Sequence, residues 1–159
     1  MKKILIGSDK SGYFLKEAIK AYLLENGYEA EDAGPYGAEE VRPYYVTADA
    51  VAKRIADGEY ERGILICGTG MGMAIVANKY LGVYAAVCEN TFAAEKARAI
   101  NDANVLTMGA WITGEFVGCE MARTFLNTEF TENLEDWRAK NLRIAREEVK
   151  KIEYKIFEK

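Results

Sequence analysis

The sequence predicts an α/β fold: a three-layer, Rossmann-like domain with a five-stranded parallel sheet and a C-terminal helical arm. Runs of β-strand type alternate five times with segments of helix length. Most of these strand runs are nearly continuously apolar, which is typical of strands that are buried on both faces and joined by right-handed crossovers. The chain has 159 residues, 50% of them hydrophobic, which suffices for one domain with its own core.

The strand and helix segments follow one another in regular order. Strands are predicted at residues 3–8, 28–34, 63–68, 83–88 and 104–109. The segments between and after them carry apolar residues at helical spacing. Helices are therefore predicted at 12–26, 45–57, 71–80, 91–101 and 113–127. The longest loop with glycine and proline lies at 33–44.

Residues 128–159 break this alternation and predict a loop followed by a long charged helix near 136–157. A helix of that length measures about 30 Å, as much as a domain of this size is wide. Its apolar residues form a narrow stripe of Ala145, Val149, Ile152 and Ile156. We expect this helix to pack on a second copy of the chain, and the alternative is that it closes its own domain. The predicted division is a Rossmann-like domain at 1–130 and its helical arm at 131–159.

Composition excludes several classes of partner. Lys and Arg number 21 against 25 Asp and Glu, so the net charge is −4 and the pI is near 5.1. This charge argues against nucleic acid or an anionic membrane as a partner. No apolar run approaches the roughly 20 residues that span a bilayer, and the first residues turn polar too early for a signal peptide. We therefore expect a cytoplasmic protein.

Cysteine and histidine usage argues against a structural metal or disulfides. The chain has three cysteines, Cys67, Cys88 and Cys119, and no histidine. The odd number and wide spacing of the cysteines predict neither a disulfide framework nor a zinc site.

A glycine-rich loop, Gly-Thr-Gly-Met-Gly at 68–72, follows the third strand. Ligands of open parallel sheets bind beyond the carboxyl ends of the strands, and the first amides of a following helix can hold an oxyanion or phosphate. The dinucleotide-binding pattern requires glycine where Met73 stands, and the NTPase loop requires Gly-Lys-Ser/Thr, which is absent. The alternative interpretation is that the glycines only allow a helix to pack closely on the sheet.

Cys67 ends the third strand and precedes this loop. Helix amides and nearby cations favour a thiolate, which can abstract a proton without a histidine partner. The alternative is a small buried strand residue, and we assign Cys88 and Cys119 to that class. After the first strand, Asp9 and Lys10 can bind sugar hydroxyls and an anionic group, or Asp9 can cap the next helix.

Three stretches, at residues 6–23, 63–88 and 101–109, resemble the type-B ribose-5-phosphate isomerases and their galactose-6-phosphate isomerase relatives. The most specific block is 63–79, which contains "CGTGMG" and "ANK". The resemblance implies a Rossmann-like fold, no metal or other cofactor, and a homodimer or homotetramer with active sites between subunits. It also implies aldose–ketose isomerisation of a small phosphosugar through an enediol.

The resemblance assigns roles to individual residues. The cysteine at the position of Cys67 is the family's base, the loop amides that follow it hold the enediolate oxygen, and the aspartate matching Asp9 binds substrate oxygens. We therefore predict catalytic roles for Cys67, Thr69 and Asp9. Predicted substrate-binding residues are Lys10, Gly68, Gly70, Met71, Gly72, Met73, Asn101, Arg138 and Arg143. Arg146 is a further candidate, because the arm is expected to bring one or more of its arginines to an active site.

Several family positions are altered in this chain. Lys10 and Ile100 stand where the family has histidines, and Trp111 stands where it has an arginine that helps hold phosphate. The aspartate before Tyr-Pro is also missing, since the stretch reads "EVRPYY". The second histidine opens the sugar ring, which Ile100 cannot do. We expect ribose 5-phosphate to be a poor substrate and an acyclic four- or five-carbon phosphosugar, or a sugar acid, to be preferred.

Other hypotheses remain at this point. Thr69, Asn101 or Asp102 with a water could open the ring in place of histidine. The chain could be a non-catalytic sugar-phosphate sensor or the partner subunit of a hetero-oligomeric isomerase. A redox-sensing protein would need only an exposed, reactive Cys67.

Overall fold

A computed structural model describes residues 3–157 of the chain. Its strands are β1 (Ile4–Ser8), β2 (Ala30–Asp32), β3 (Arg62–Cys67), β4 (Ala85–Val87) and β5 (Val105–Gly109). Its helices are α1 (Tyr13–Glu25), α2 (Tyr44–Ala56), α3 (Met71–Ala77), α4 (Thr91–Ala99), α5 (Glu115–Asn127) and α6 (Asp136–Phe157). All strand pairs are parallel. The predicted α/β, Rossmann-like fold class is confirmed.

Helices cover both faces of the sheet because alternate residues of the central strands point to opposite sides. Ile64 and Ile66 of β3 pack in the core beneath α1, α4 and α5. Leu65 and Cys67 of the same strand pack in the second core, beneath α2 and α3. Strands β1, β3 and β5 are almost entirely buried, and the edge strands β2 and β4 are short and partly exposed.

The strand order β2-β1-β3-β5-β4 places a crevice at the carboxyl edge of the sheet. The chain leaves β1 towards β2 on one side and returns to add β3 on the other side. The loops after β1 and β3 therefore diverge and leave an opening between them, which is where ligands bind in such sheets. Ser8 pairs with Ile66 in register, so Asp9 and Cys67 follow neighbouring strand ends.

A buried ion pair holds the 33–44 loop against α1. The Lys16 ammonium is fully buried and donates hydrogen bonds to both carboxylate oxygens of Asp32 at 2.8 Å and to the Pro35 carbonyl at 2.5 Å. Burial alone would raise the pKa of Asp32, but hydrogen bonds from Lys16 and Lys20 outweigh it and lower that pKa. Breaking a buried pair of this kind costs about 3–5 kcal/mol. The loop that leads into α2 is thereby held at the sheet edge.

Helix α6 contacts its own domain through polar side chains. Arg146 reaches Asp102 at 2.9 Å, Arg143 donates to the Thr131 hydroxyl at 2.9 Å, and Glu153 accepts from the Tyr84 hydroxyl at 2.6 Å. These contacts hold the helix beside the domain that precedes it.

The apolar stripe of α6 remains exposed in the single chain. Val149, Ile152 and Ile156 are 50%, 58% and 63% exposed. Packing of this stripe on a second copy, and the division of the chain at residue 130, stay predictions. Within residues 3–157, no helix combines the length and the apolar character needed to cross a membrane.

The loop after β3 lies directly on the end of β5. Gly70 has a left-handed φ of 78°, and a Cβ there would lie 2.7 Å from the Met108 carbonyl carbon. A Cβ on Gly109 would lie 2.6 Å from the Gly68 carbonyl oxygen. Only residues without side chains permit this approach, and it sets where the β3 loop can go.

Gly70→Ala should therefore destabilise the protein more than Gly82→Ala. Gly82 has nearly the same φ, 76°, but no atom lies within 4 Å of a Cβ built there. Gly82→Ala should cost about 1 kcal/mol for the left-handed backbone. Gly70→Ala should cost about 2 kcal/mol more, because its methyl group meets main-chain atoms that cannot rotate away. Denaturant unfolding measures both variants, and equal losses would contradict the close approach.

Candidate active site

A cavity of about 250 Å³ opens at the carboxyl ends of β1 and β3. It is lined by Asp9, Ser11, Tyr44, Cys67, Gly68, Thr69, Gly72 and Trp111. Five of these residues were predicted for the site from the sequence. Ser11 follows the first strand but was not among the predicted site residues, Tyr44 was not predicted, and Trp111 was described only as an altered family position.

Two other cavities carry no comparable chemistry. The larger, about 500 Å³, is an open cleft at the opposite edge of the sheet, beside Lys3 and Tyr60. The other, about 230 Å³, lies under α6 and is lined mainly by apolar side chains with Asn101 and Arg146. Neither contains a nucleophile, so we assign the chemistry to the smaller site around Cys67.

The Cys67 sulfur receives a hydrogen bond from the loop that follows it. The Gly70 N–H donates to Sγ at 3.1 Å, and the cysteine is 5% exposed at the cavity wall. A thiolate accepts such a bond better than a thiol does. The sulfur is therefore positioned as a proton acceptor that faces the cavity without a histidine.

The amides at the start of α3 form the second functional group of the cavity. Met71 N–H donates to the Thr69 hydroxyl at 3.3 Å. Within residues 3–157, no acceptor takes a hydrogen bond from the N–H groups of Gly72 and Met73. The Met73 side chain is fully buried in the core, so only its amide can serve a ligand. The loop thus offers donors beside the Cys67 sulfur.

Asp9 both lines the cavity and orders the turn into α1. Its carboxylate accepts a hydrogen bond from the Gly12 N–H at 2.9 Å. Burial raises the pKa of Asp9, against the opposing effect of hydrogen bonds from the Gly12 and Ser11 backbone. A carboxyl with a raised pKa exchanges protons more readily with sugar hydroxyls near neutrality. Both roles considered for Asp9 fit this position.

Lys10 lies outside the cavity lining. Its side chain is 51% exposed, and its ammonium lies 3.4 Å from the Glu39 carboxylate in the 33–44 loop. A surface pair of this kind contributes little to stability, so the lysine is not held away from a ligand. Its substrate-binding role stays a prediction.

Three further predicted residues, Asn101, Arg138 and Arg143, lie outside the lining of the Cys67 cavity. Asn101 lies at the cavity under α6, beside Ile100. Arg138 and Arg143 are exposed on α6, and the only partner shown for Arg143 within residues 3–157 is the neutral Thr131 hydroxyl. A single chain therefore does not bring these side chains to the Cys67 cavity.

Asp102 and Arg146 form an ion pair with each other. The carboxylate of Asp102 lies 2.9 Å from both Arg146 and the buried Arg98. Arg146 also packs over the Phe130 ring, 4.6 Å from its centre. These contacts make Asp102 a structural anion between two arginines, which argues against its use in ring opening.

The other two cysteines lie outside the Cys67 cavity: Cys88 directly follows β4, and Cys119 lies on α5, partly buried, and not on a strand. Cys88 is buried, and burial raises its pKa to about 11. Burial likewise raises the pKa of Cys119. Neither lines the Cys67 cavity. In the part of the chain that the structure describes, no group of three acidic or cysteine side chains is placed to hold a metal.

Comparison with known proteins identifies the family of this chain. Residues 4–142 match the family described as ribose/galactose isomerase. The 4-deoxy-4-sulfo-D-erythrose isomerase of Clostridium sp. MSTE9 is 60% identical over 99% of each chain. Ribose-5-P isomerase B of Listeria innocua is 43% identical over 81% of this chain and 86% of its own.

A solved structure extends this likeness to the fold. Ribose-5-phosphate isomerase B of Clostridium thermocellum superposes with a TM-score of 0.81 at 40% identity, covering 94% of this chain and 99% of its own. The sequence resemblance is thereby confirmed. This chain belongs to the ribose/galactose isomerase family and is an aldose–ketose isomerase of the kind that its relatives represent.

Proposed function

We propose that this chain interconverts 4-deoxy-4-sulfo-D-erythrose and the corresponding 2-ketose, with Cys67 as the base. The observation that carries the proposal is the 60% identity, over 99% of both chains, with the relative of that name. The altered family positions and the small cavity support it independently.

The chemistry of this sugar removes the need for ring opening. Carbon 4 bears a sulfonate where erythrose has a hydroxyl, so no hydroxyl remains that could close a five-membered ring on C1. The substrate is therefore an open aldehyde. The chain has no histidine, and Ile100 stands at the family's ring-opening position. An acyclic substrate makes that substitution compatible with catalysis.

The proposed reaction begins with removal of the C2 proton by the Cys67 thiolate. The electron pair forms the C1–C2 double bond, and the aldehyde oxygen becomes the enediolate oxygen. The free N–H groups of Gly72 and Met73 stabilise that oxygen, because they point donors at charge that develops in the transition state.

The second half of the reaction returns the proton to C1. Asp9 carries the hydroxyl proton from O2 to O1, as its raised pKa allows. The thiol of Cys67 then protonates C1, which leaves a carbonyl at C2 and regenerates the thiolate. Proton transfer by positioned groups of this kind contributes about 10²–10⁴ in rate.

The sulfonate requires cations that the Cys67 cavity itself does not supply. None of the residues that line it is Lys or Arg. We propose that Arg138 and Arg143 on α6 of a second copy bind the sulfonate in a homodimer. The exposure of both arginines and of the apolar stripe on α6 supports this arrangement.

A cytoplasmic location is part of the proposal. Cys67, Cys88 and Cys119 are free thiols, and a reducing compartment keeps a catalytic thiol reduced. The redox-sensor hypothesis receives less support, because Cys67 is only 5% exposed.

The purified chain alone should turn over 4-deoxy-4-sulfo-D-erythrose with a kcat/KM at least about 100-fold above that for ribose 5-phosphate. Erythrose 4-phosphate, also acyclic, should rank between the two. Proton NMR of the sugars measures each rate. Equal or better turnover of ribose 5-phosphate would contradict the proposal, and turnover by the lone chain would end the partner-subunit hypothesis.

Cys67→Ala should lower solvent-deuterium incorporation into the substrate by about 10³-fold, because it removes the proposed base. Calorimetric binding of the substrate should persist in this variant. Cys88→Ala is the matched control and should exchange like the wild type, since this buried thiol lies outside the cavity. Normal exchange in Cys67→Ala would remove Cys67 as the base.

Two inactive variants should restore each other if active sites are shared between copies. Cys67→Ala supplies intact arginines, and Arg138→Ala/Arg143→Ala supplies an intact thiol. Mixing them through mild denaturation should recover about a quarter of the wild-type activity, since half of the dimers are hybrids with one intact site. Each variant refolded alone is the control. No recovery in the mixture would mean that the arginines and Cys67 of one active site are not contributed by different copies.

A further inference from the structure

Trp111 forms one wall of the Cys67 cavity and packs on its glycine loop. A Cβ on Gly68 would lie 2.8 Å from three atoms of the indole ring. The main-chain N–H of Trp111 donates to the Gly68 carbonyl at 3.0 Å, and the main-chain N–H of Ala110 donates to the Cys67 carbonyl at 2.8 Å. The turn after β5 therefore fastens the indole to the same loop that carries the base.

A second ring, Tyr44, packs on the other end of this loop. A Cβ on Gly72 would lie 2.7 Å from the Tyr44 ring. The space that Tyr44 and Trp111 help to enclose is about 250 Å³. Pockets for drug-sized ligands measure about 300–1,000 Å³, so the site is built for a short chain.

The charge of the residues that line the cavity also limits which ligands can bind. The lining holds the Asp9 carboxyl and neither Lys nor Arg. No acceptor within residues 3–157 is shown to use the indole N–H of Trp111, which leaves it available as a neutral donor. A sulfonate carries one negative charge, whereas a phosphate ester carries about 1.5–2 at neutral pH. The indole adds no cation to the two arginines proposed from the second copy, so a second negative charge on the ligand is less well compensated than the first.

We propose that Trp111 is a specificity-determining residue of this isomerase. Its indole closes the cavity to five-carbon chains and favours a singly charged tail over a doubly charged one. The inference rests on the proposed function for its preferred substrate and goes beyond it by assigning the preference to one side chain.

Substitution of Trp111 should leave the fold intact, because the side chain is not part of the core. It is 75% exposed, and its packing partner is a loop backbone. Trp111→Arg adds a cation, Trp111→Ala adds space, and Trp111→Phe keeps an aromatic wall. Ile112→Ala is the matched control, because Ile112 is the neighbouring residue, 49% exposed and outside the cavity lining.

The measured quantity is the ratio of kcat/KM for 4-deoxy-4-sulfo-D-erythrose to that for ribose 5-phosphate. We expect Trp111→Arg and Trp111→Ala to lower it about tenfold or more, mainly through KM. Trp111→Phe should keep most of the ratio, and Ile112→Ala should leave it unchanged. An unchanged ratio in Trp111→Arg and Trp111→Ala would overturn the inference.

A wrong proposed substrate can be distinguished from a wrong assignment of Trp111. If the wild type does not turn over the sulfo-sugar, the proposed substrate is wrong, and the same variants are compared on erythrose 4-phosphate and ribose 5-phosphate with the same criterion.

Fluorescence supplies a second readout. The chain has two tryptophans, so Trp137→Phe leaves Trp111 as the single indole. Titration with the sulfo-sugar should change its emission, and the absence of any change at saturating substrate would overturn the contact.

Discussion

The site depends on the close approach between the loop after β3 and the end of β5. Gly70 and Gly109 let main chain lie on main chain, where any side chain would intervene. That contact turns the Gly70 amide towards the Cys67 sulfur and leaves the next amides of α3 free for an oxyanion. The same contact brings the turn after β5, with Trp111, to the cavity. One packing constraint therefore places the base, the oxyanion donors and a wall of the site together.

A second constraint is that a single chain does not bring the arginines of α6 to the Cys67 cavity. The Cys67 cavity is lined by a carboxyl, a thiol and main-chain amides but by no cationic side chain. The exposed arginines lie on α6, which makes hydrogen bonds to Asp102, Thr131 and Tyr84 of its own chain. In the proposed homodimer, the α6 arginines of a second copy would complete the Cys67 cavity for an anionic substrate. The polar contacts of α6 with its own domain set the direction of this helix.

The proposed substrate accounts for several altered positions through one chemical property. A tetrose with a sulfonate at C4 cannot cyclise, so a family member that meets only this sugar can lose the ring-opening histidine and carry Ile100. Its single negative charge also requires less cationic surroundings than a phosphate, which agrees with an indole in the wall. The enediol chemistry needs none of these positions, and Cys67, Asp9 and the glycine loop are all present at the cavity.

The sequence by itself determined the five strands, the order of strands and helices, and the family, because alternating apolar periods and the "CGTGMG" loop are local signals. It also placed Cys67 and Asp9 at the carboxyl edge of the sheet, since Cys67 ends β3 and Asp9 directly follows β1. Only the tertiary structure decided that Tyr44 and Ser11 join the cavity, because Tyr44 reaches it through a loop held by the Lys16–Asp32 pair. It also decided that Asn101 and the α6 arginines lie elsewhere in the single chain. The physical reason is that contacts across the crevice arise from strand order and helix packing, which no short stretch of residues encodes.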